Sequence, residues 1–176
     1  MSHLIEPAAT GRAKCRGCGG KIPAGELRFG ERLPNAYARE DDAETTQWFH
    51  LQCAAFRRPE LLLEALSTTE AAIEDRAGLE HEAHLGVAHH RLPRVSTAER
   101  AASARATCRS CKEKIPQGAW RISLVYYEDG RFAPSGFVHL TCAAGYFETT
   151  DILPRVRHFS PALTDADLAE IQAGLG

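Results

Sequence analysis

Residues 120–128 alternate with a period of two: Trp120, Ile122, Leu124 and Tyr126 fall on one face of a strand, and Arg121, Ser123, Val125 and Tyr127 on the other. Asp129-Gly130 supplies a two-residue hairpin turn, and Arg131-Phe132 begins the returning strand. Earlier in the chain a similar alternation sets Leu27 and Phe29 inward and Arg28 outward, before a longer acidic excursion with Glu40, Asp41, Asp42 and Glu44. On this pattern Arg28 and Arg121 both stand on the solvent face of their strands. Helical signals fill the rest. Ser67-Thr-Thr-Glu70 reads as a capping box opening a helix through Ile73, Leu79 and Leu85, and Ser96-Thr-Ala-Glu99 as another leading into the second strand region. Thr164-Asp-Ala-Asp167 starts a last helix with Leu168, Ile171 and Leu175 along one side.

The two strand regions belong to a repeat. "KCRGCGGKIPAGELR" at 14–28 returns 93 positions later as "TCRSCKEKIPQGAWR" at 107–121, with the cysteines, Lys-Ile-Pro, a glycine and the last arginine in register. Ile-Pro-x-Gly sets a tight turn before each strand. The second half of each copy is His50-Leu51-Gln52-Cys53 and His139-Leu140-Thr141-Cys142, after loops of 31 and 27 residues. Each copy therefore offers three thiols and one imidazole: Cys15, Cys18, His50 and Cys53, then Cys108, Cys111, His139 and Cys142. The six cysteines of the chain are all used. Three thiolates and an imidazole suit tetrahedral zinc, and four protein ligands leave no open position for an attacking water. Two structural zinc ions per chain are expected. A redox Cys-x-x-Cys or a disulfide pairing leaves the repeated His-x2-Cys without a purpose. "HEAH" at 81–84 is one residue short of a His-Glu-x-x-His metalloprotease spacing, so His81, Glu82 and His84, with His89 and His90, read as a solvated helix face.

Charge separates the copies from their surroundings. The formal net charge is only -2, yet residues 11–39 carry seven Lys or Arg against two Glu, a net +5, and residues 105–131 carry six against three acids, a net +3. Local positive charge of this kind fits a nucleic-acid footprint. A solvated face on a zinc scaffold that binds protein is the competing reading. No apolar run approaches the roughly 18 residues a membrane span requires. The first residues lack a signal-peptide layout, so the chain is expected to be intracellular and away from membranes.

The layout Gly-Arg-Ala-x-Cys-x-x-Cys, Ile-Pro-x-Gly-x-Leu-Arg, Trp-Phe-His-x-x-Cys in residues 11–53 resembles the zinc finger of the poly(ADP-ribose) polymerase type, also found at the front of a vertebrate DNA ligase. Residues 104–142 resemble it too, with Phe137-Val138 in place of the tryptophan-aromatic pair before the histidine. The resemblance implies an α+β protein: two small zinc-stabilised fingers, each a short antiparallel sheet with helices. Finger one is expected at 1–57, a helical linker or extension at 58–103, finger two at 104–150 and a helical extension at 151–176. It further implies recognition of DNA strand breaks, whether nicks, gaps or ends, without reading sequence, in DNA repair or damage sensing. Arg12 and Arg28, and likewise Arg105 and Arg121, then grip phosphates, with Lys14, Arg16 and Arg109 extending the same basic surface. Leu33 or Tyr37 in finger one and Tyr127 or Phe132 in finger two are nominated to cover an exposed base pair. No nucleophile with a partner base stands out, so an enzyme is not expected, and catalysis is assigned to a repair enzyme on another chain. The alternative class is a zinc-stabilised protein-interaction adaptor or an RNA-binding module.

Overall fold

The computed structural model describes residues 2–35 and 44–176, which form two compact units, 1–88 and 89–176. In the first unit, strands β1 (Leu4–Pro7), β2 (Leu27–Pro34) and β3 (Glu44–His50) make an antiparallel sheet in that order. Helices α1 (Leu51–Arg57), α2 (Pro59–Thr68) and α3 (Arg76–Ala88) pack on one another, with α1 and α2 also meeting the sheet. In the second unit β4 (Val95–Arg100), β5 (Trp120–Glu128) and β6 (Arg131–His139) repeat the sheet, with α4 (Leu140–Phe147), α5 (Leu153–Phe159) and α6 (Asp165–Gly174) around it. The expected α+β architecture is present in both units.

Each core grows from the apolar side of the middle strand. Phe29 and Phe49 are neighbours across β2 and β3, fully buried with ring centroids 6.0 Å apart, and Ile22 from the Ile-Pro turn is buried with them. Ile122, Val138 and Ile115 take the matching places in the second unit. Fully burying one such side chain contributes roughly 1.5–3 kcal/mol. The Ile-Pro turns form as their sequences require, with Gly25 at φ 84° and Gly118 at φ 79°. Asp129 and Gly130, both at positive φ, close the β5–β6 hairpin in the primed geometry that matches strand twist. Thr164 caps α6 in a full capping box with Asp167, and Leu168 and Ile171 are buried beneath it.

Several expectations change. Ser96-Thr-Ala-Glu99 forms strand β4 and not a helix cap: Ala98 and Glu99 pair with Ile122 and Arg121 of β5, and across a bulge the Thr97 N–H donates to Ser123 Oγ and the Ala98 N–H to Ser160 Oγ. Ser67-Thr-Thr-Glu70 lies at the end of α2, which starts at Pro59, and the next helix begins at Arg76. Of the segment 58–103, expected as a helical linker or extension, α2 and α3 fall in the first unit, and the short 3-10 turn Leu92–Arg94 and β4 in the second. Alternation along β5 also breaks. The register slips between Leu124 and Val125, and Tyr126, expected inward, is 48% exposed.

A further change concerns the repeated arginines. Arg28 and Arg121 are each only 8% exposed, where a solvent face was expected. The middle strand of each sheet is covered on both sides, since the edge strands β1 and β4 bring a carboxylate over the face that sequence alternation leaves open. Trp48 lies across that face in the first unit. A Cβ at Gly30, its cross-strand partner, would come within 2.7 Å of the indole, so only glycine admits the large ring there. The second unit pairs Ser123 with the smaller Phe137.

Candidate metal centres and nucleic-acid interface

In both units the first two cysteines sit on a tight knuckle before the Ile-Pro turn, the histidine ends the third strand and the last cysteine lies in the first turn of the following helix. The strand-to-helix junction thus presents His50 with Cys53, and His139 with Cys142. Within each set the four ligand atoms lie within 4.8 Å of one another. His50 Nδ1 is 3.4 Å from Cys18 Sγ and 3.8 Å from Cys53 Sγ, and His139 Nδ1 is 3.4 Å from Cys111 Sγ and 3.7 Å from Cys142 Sγ. Zn–S bonds of about 2.3 Å and Zn–N bonds of about 2.0–2.1 Å give a tetrahedral S···N edge of about 3.6 Å. The donor sets therefore fit one structural zinc each.

The surroundings prepare the ligands. His50 Nε2 lies 3.1 Å from the Lys21 carbonyl and His139 Nε2 3.2 Å from the Lys114 carbonyl. A carbonyl only accepts, so Nε2 carries the proton and Nδ1 keeps its lone pair for the metal. The backbone N–H of His50 points at Cys15 Sγ (3.3 Å) and that of His139 at Cys108 Sγ (3.4 Å). The Cys53 thiol, then the N–H groups of His50, Cys18 and Gly17, bring Cys15 down to about 4 against the opposing effect of burial. Burial pushes Cys108 up, but the N–H groups of Cys111, His139 and Ser110 outweigh it and hold that thiol at about 6. Both are poised as thiolates, the form that binds metal.

Arg28 and Arg121 sit directly opposite the zinc-ligating histidines in the strand register. On the other side of the middle strand the register partner is Glu6 in one unit and Glu99 in the other. Arg28 Nη2 donates to Glu6 Oε1 at 2.7 Å, and its guanidinium lies 3.5 Å from the Trp48 ring centroid. Arg121 donates to Glu99 Oε1 through Nη2 at 2.6 Å and Nε at 3.1 Å, with its guanidinium 3.6 Å from the Phe137 centroid. Each arginine is thus clasped between a carboxylate and an aromatic face. Sequence reasoning missed the carboxylates, although the signal was there: Glu6 and Glu99 both stand nine residues before the first cysteine of their copy.

The other nominated cations are exposed. Arg12, Lys14, Arg16, Arg105 and Arg109 stand around the knuckles, and none makes an ion pair among the described residues. Tyr127 and Phe132 are cross-strand partners near the tip of the β5–β6 hairpin, half-buried, with centroids 4.7 Å apart. Leu33 is half-buried toward the corresponding end of β2. Tyr37 lies outside the described residues. His81 and His84 are exposed on α3 and belong to neither ligand set. No helix among the described residues is long and apolar enough to cross a membrane.

Residues 6–89 match the family described as the poly(ADP-ribose) polymerase and DNA-ligase Zn-finger region. Among curated relatives, a poly [ADP-ribose] polymerase of Drosophila melanogaster is 26% identical over 98% of this chain and 19% of its own length. Poly [ADP-ribose] polymerase 1 of Gallus gallus is 32% identical over 69% of this chain and 13% of its own, and that of Oryza sativa subsp. japonica 27% identical over 79% and 14%. The chain spans a fifth or less of these relatives. Residues 6–89 thus form a zinc finger of the poly(ADP-ribose) polymerase and DNA-ligase type, and the second unit repeats the same sheet order, ligand set and clasped arginine.

Proposed function

We propose that the chain binds DNA at strand breaks, whether nicks, gaps or ends, without reading base sequence, as a damage-sensing or repair module. The observation that carries this reading is the duplicated, unpaired cation set around two closed zinc knuckles: Arg12, Lys14 and Arg16 in one unit, Arg105 and Arg109 in the other. An adaptor that bound protein would need no such set at matching offsets in both copies. Phosphate contacts hold register on DNA but carry no sequence information. With each metal closed by four protein ligands, the role of these residues is binding, in the service of a repair enzyme. The protein would then be found where DNA is.

Arg28 and Arg121 reach phosphate only by releasing Glu6 or Glu99, whose side chains are 42% and 45% exposed. A phosphate then takes the place of the carboxylate on the same guanidinium. Glu6→Gln is expected to tighten DNA binding by about threefold, since the competing negative charge is gone and the neighbouring polar contact is kept. Titration of a labelled nicked duplex measures this, and unchanged affinity would leave Arg28 with a structural role alone.

Preference for breaks needs more than phosphate contacts, which are the same along any duplex. A break exposes the face of a terminal base pair, and covering it is worth roughly 1–3 kcal/mol per base. The Tyr127–Phe132 pair and Leu33 are proposed to supply that cover. A nicked circle is therefore expected to bind about tenfold or more tightly than the same circle closed, with little dependence on base identity. Equal affinities for the two circles, measured by competition, would refute this reading.

A further inference from the structure

The second unit holds an open cleft of about 650 Å³ that neither the zinc site nor the sheet requires. Its volume falls in the roughly 300–1,000 Å³ range of ligand sites. Four cations line it: Arg91 and Arg94 from the segment before β4, and Arg109 and Lys112 from the knuckle. Glu128 is the acid facing them. Tyr126 and Tyr146 add two rings, and Tyr126 is one of the few large apolar side chains left exposed.

The cations are held in place without being neutralised. Arg94 Nη1 donates to the Tyr146 hydroxyl at 3.4 Å, and its guanidinium stands 5.4 Å from the Tyr126 centroid. Arg91 Nη1 donates to the Tyr146 carbonyl at 3.3 Å, with its guanidinium 5.0 Å from that ring. Lys112 Nζ donates to the Arg109 carbonyl at 2.6 Å, and Arg109 Nε to the Ser135 carbonyl at 2.8 Å. Arg109 crosses the strand at Gly136, whose φ is +107° and where a Cβ would lie 2.9 Å from Nε. All these acceptors are neutral, so the positive charge faces outward beside an exposed ring. The first unit does not reproduce the arrangement: counted from the matched ligands, Tyr126 corresponds to Leu33 and Tyr146 to Arg57.

A solvated basic face does not need an exposed aromatic ring or cations fixed on neutral acceptors. We propose that this cleft binds consecutive unpaired nucleotides of a single strand, with Arg91, Arg94 and Lys112 on phosphates and the Tyr126 ring stacked on a base. Aromatic stacking beside a cationic track is the chemistry of sequence-tolerant single-strand binding. The cleft shares Arg109 with the surface proposed for the broken duplex, but Arg91, Arg94, Lys112 and Tyr126 lie outside that surface, so the two proposals stand or fall separately.

The test is fluorescence anisotropy with a labelled oligothymidylate of about ten residues, alongside a nicked duplex, on the zinc-loaded chain. Tyr126→Ala, which removes an exposed ring, is expected to weaken single-strand binding roughly tenfold while melting and zinc content stay unchanged. Arg91→Glu with Arg94→Glu is expected to weaken it further and to flatten the salt dependence by about 1.4 units of slope, from two phosphates at about 0.7 each. Both variants should bind the nicked duplex within about threefold of wild type, a range too small for loss of a phosphate or stacking contact. Wild-type oligonucleotide binding that neither variant changes overturns the proposal, as does no binding of the oligonucleotide at all. Equal losses on the nicked duplex would make the cleft part of the duplex surface, and thymidine monophosphate competing as well as the oligonucleotide would make it a mononucleotide pocket. Either result also overturns it.

Discussion

Stripping zinc from the protein is expected to unfold both units rather than loosen them. Each knuckle is held by a few backbone hydrogen bonds, such as Cys15 N–H to the Gly20 carbonyl and Cys108 N–H to the Glu113 carbonyl, both 2.8 Å. The metal joins that knuckle to the strand-helix junction more than thirty residues away in one unit and nearly as far in the other. Structural zinc contributes about 10–16 kcal/mol at neutral pH, as much as or more than the 5–15 kcal/mol by which a typical domain is stable. Elemental analysis should give two zinc ions per chain, and chelation should abolish helical circular dichroism. His50→Ala and His139→Ala should each lose one metal and the melting transition of one unit. Retention of the full dichroism and melting midpoint after verified metal removal would show that the apolar cores suffice alone.

The ligand sets were legible because a metal site writes its geometry into spacing. Cys-x2-Cys and His-x2-Cys repeat in register, and the structure brings each set together with no change of residue. Local turn chemistry was equally readable: Asp129-Gly130 and Thr164 through Asp167 act on neighbours two or three residues away. The edge strands were not. β1 is four residues, "LIEP", and β4, "VSTAER", matches a capping box as well as it matches a strand. Their state is decided by the middle strand they pair with, so it lies outside any local window. With no third strand over it, the polar side of β2 and β5 looked solvated, and Arg28 and Arg121 were placed there. The pairing signal lies upstream in the repeat, where Glu6 and Glu99 stand 22 residues before Arg28 and Arg121 in both copies.

Replacing Arg58 by Ala is expected to destabilise the first unit by about 3–5 kcal/mol, the usual cost of stranding a buried charge. Glu31 is 1% exposed in the middle of β2, and Arg58 reaches it with both Nε (2.8 Å, to Oε2) and Nη2 (2.5 Å, to Oε1). No local pattern announces this pair, whose members are 27 residues apart. The second copy supplies the comparison. Counted from the matched cysteines, Glu31 corresponds to Leu124 and Arg58 to Phe147, and both of those are buried. The same two positions are thus filled by a bidentate ion pair in one unit and by two apolar side chains in the other. Desolvating two charges offsets most of their attraction, so a well-packed apolar pair often equals or exceeds a buried ion pair in stability. The double replacement Glu31→Leu with Arg58→Phe is therefore expected to recover most of what Arg58→Ala loses, and to fall within about 1–2 kcal/mol of wild type. Glu31→Leu alone should sit between, since Arg58, with its side chain 23% exposed, can turn its charge to water while Glu31 cannot. Urea denaturation of the zinc-loaded variants measures all three. A double variant no more stable than Arg58→Ala would mean that the first unit depends on the ion pair itself and that its core cannot repack in the manner of the second.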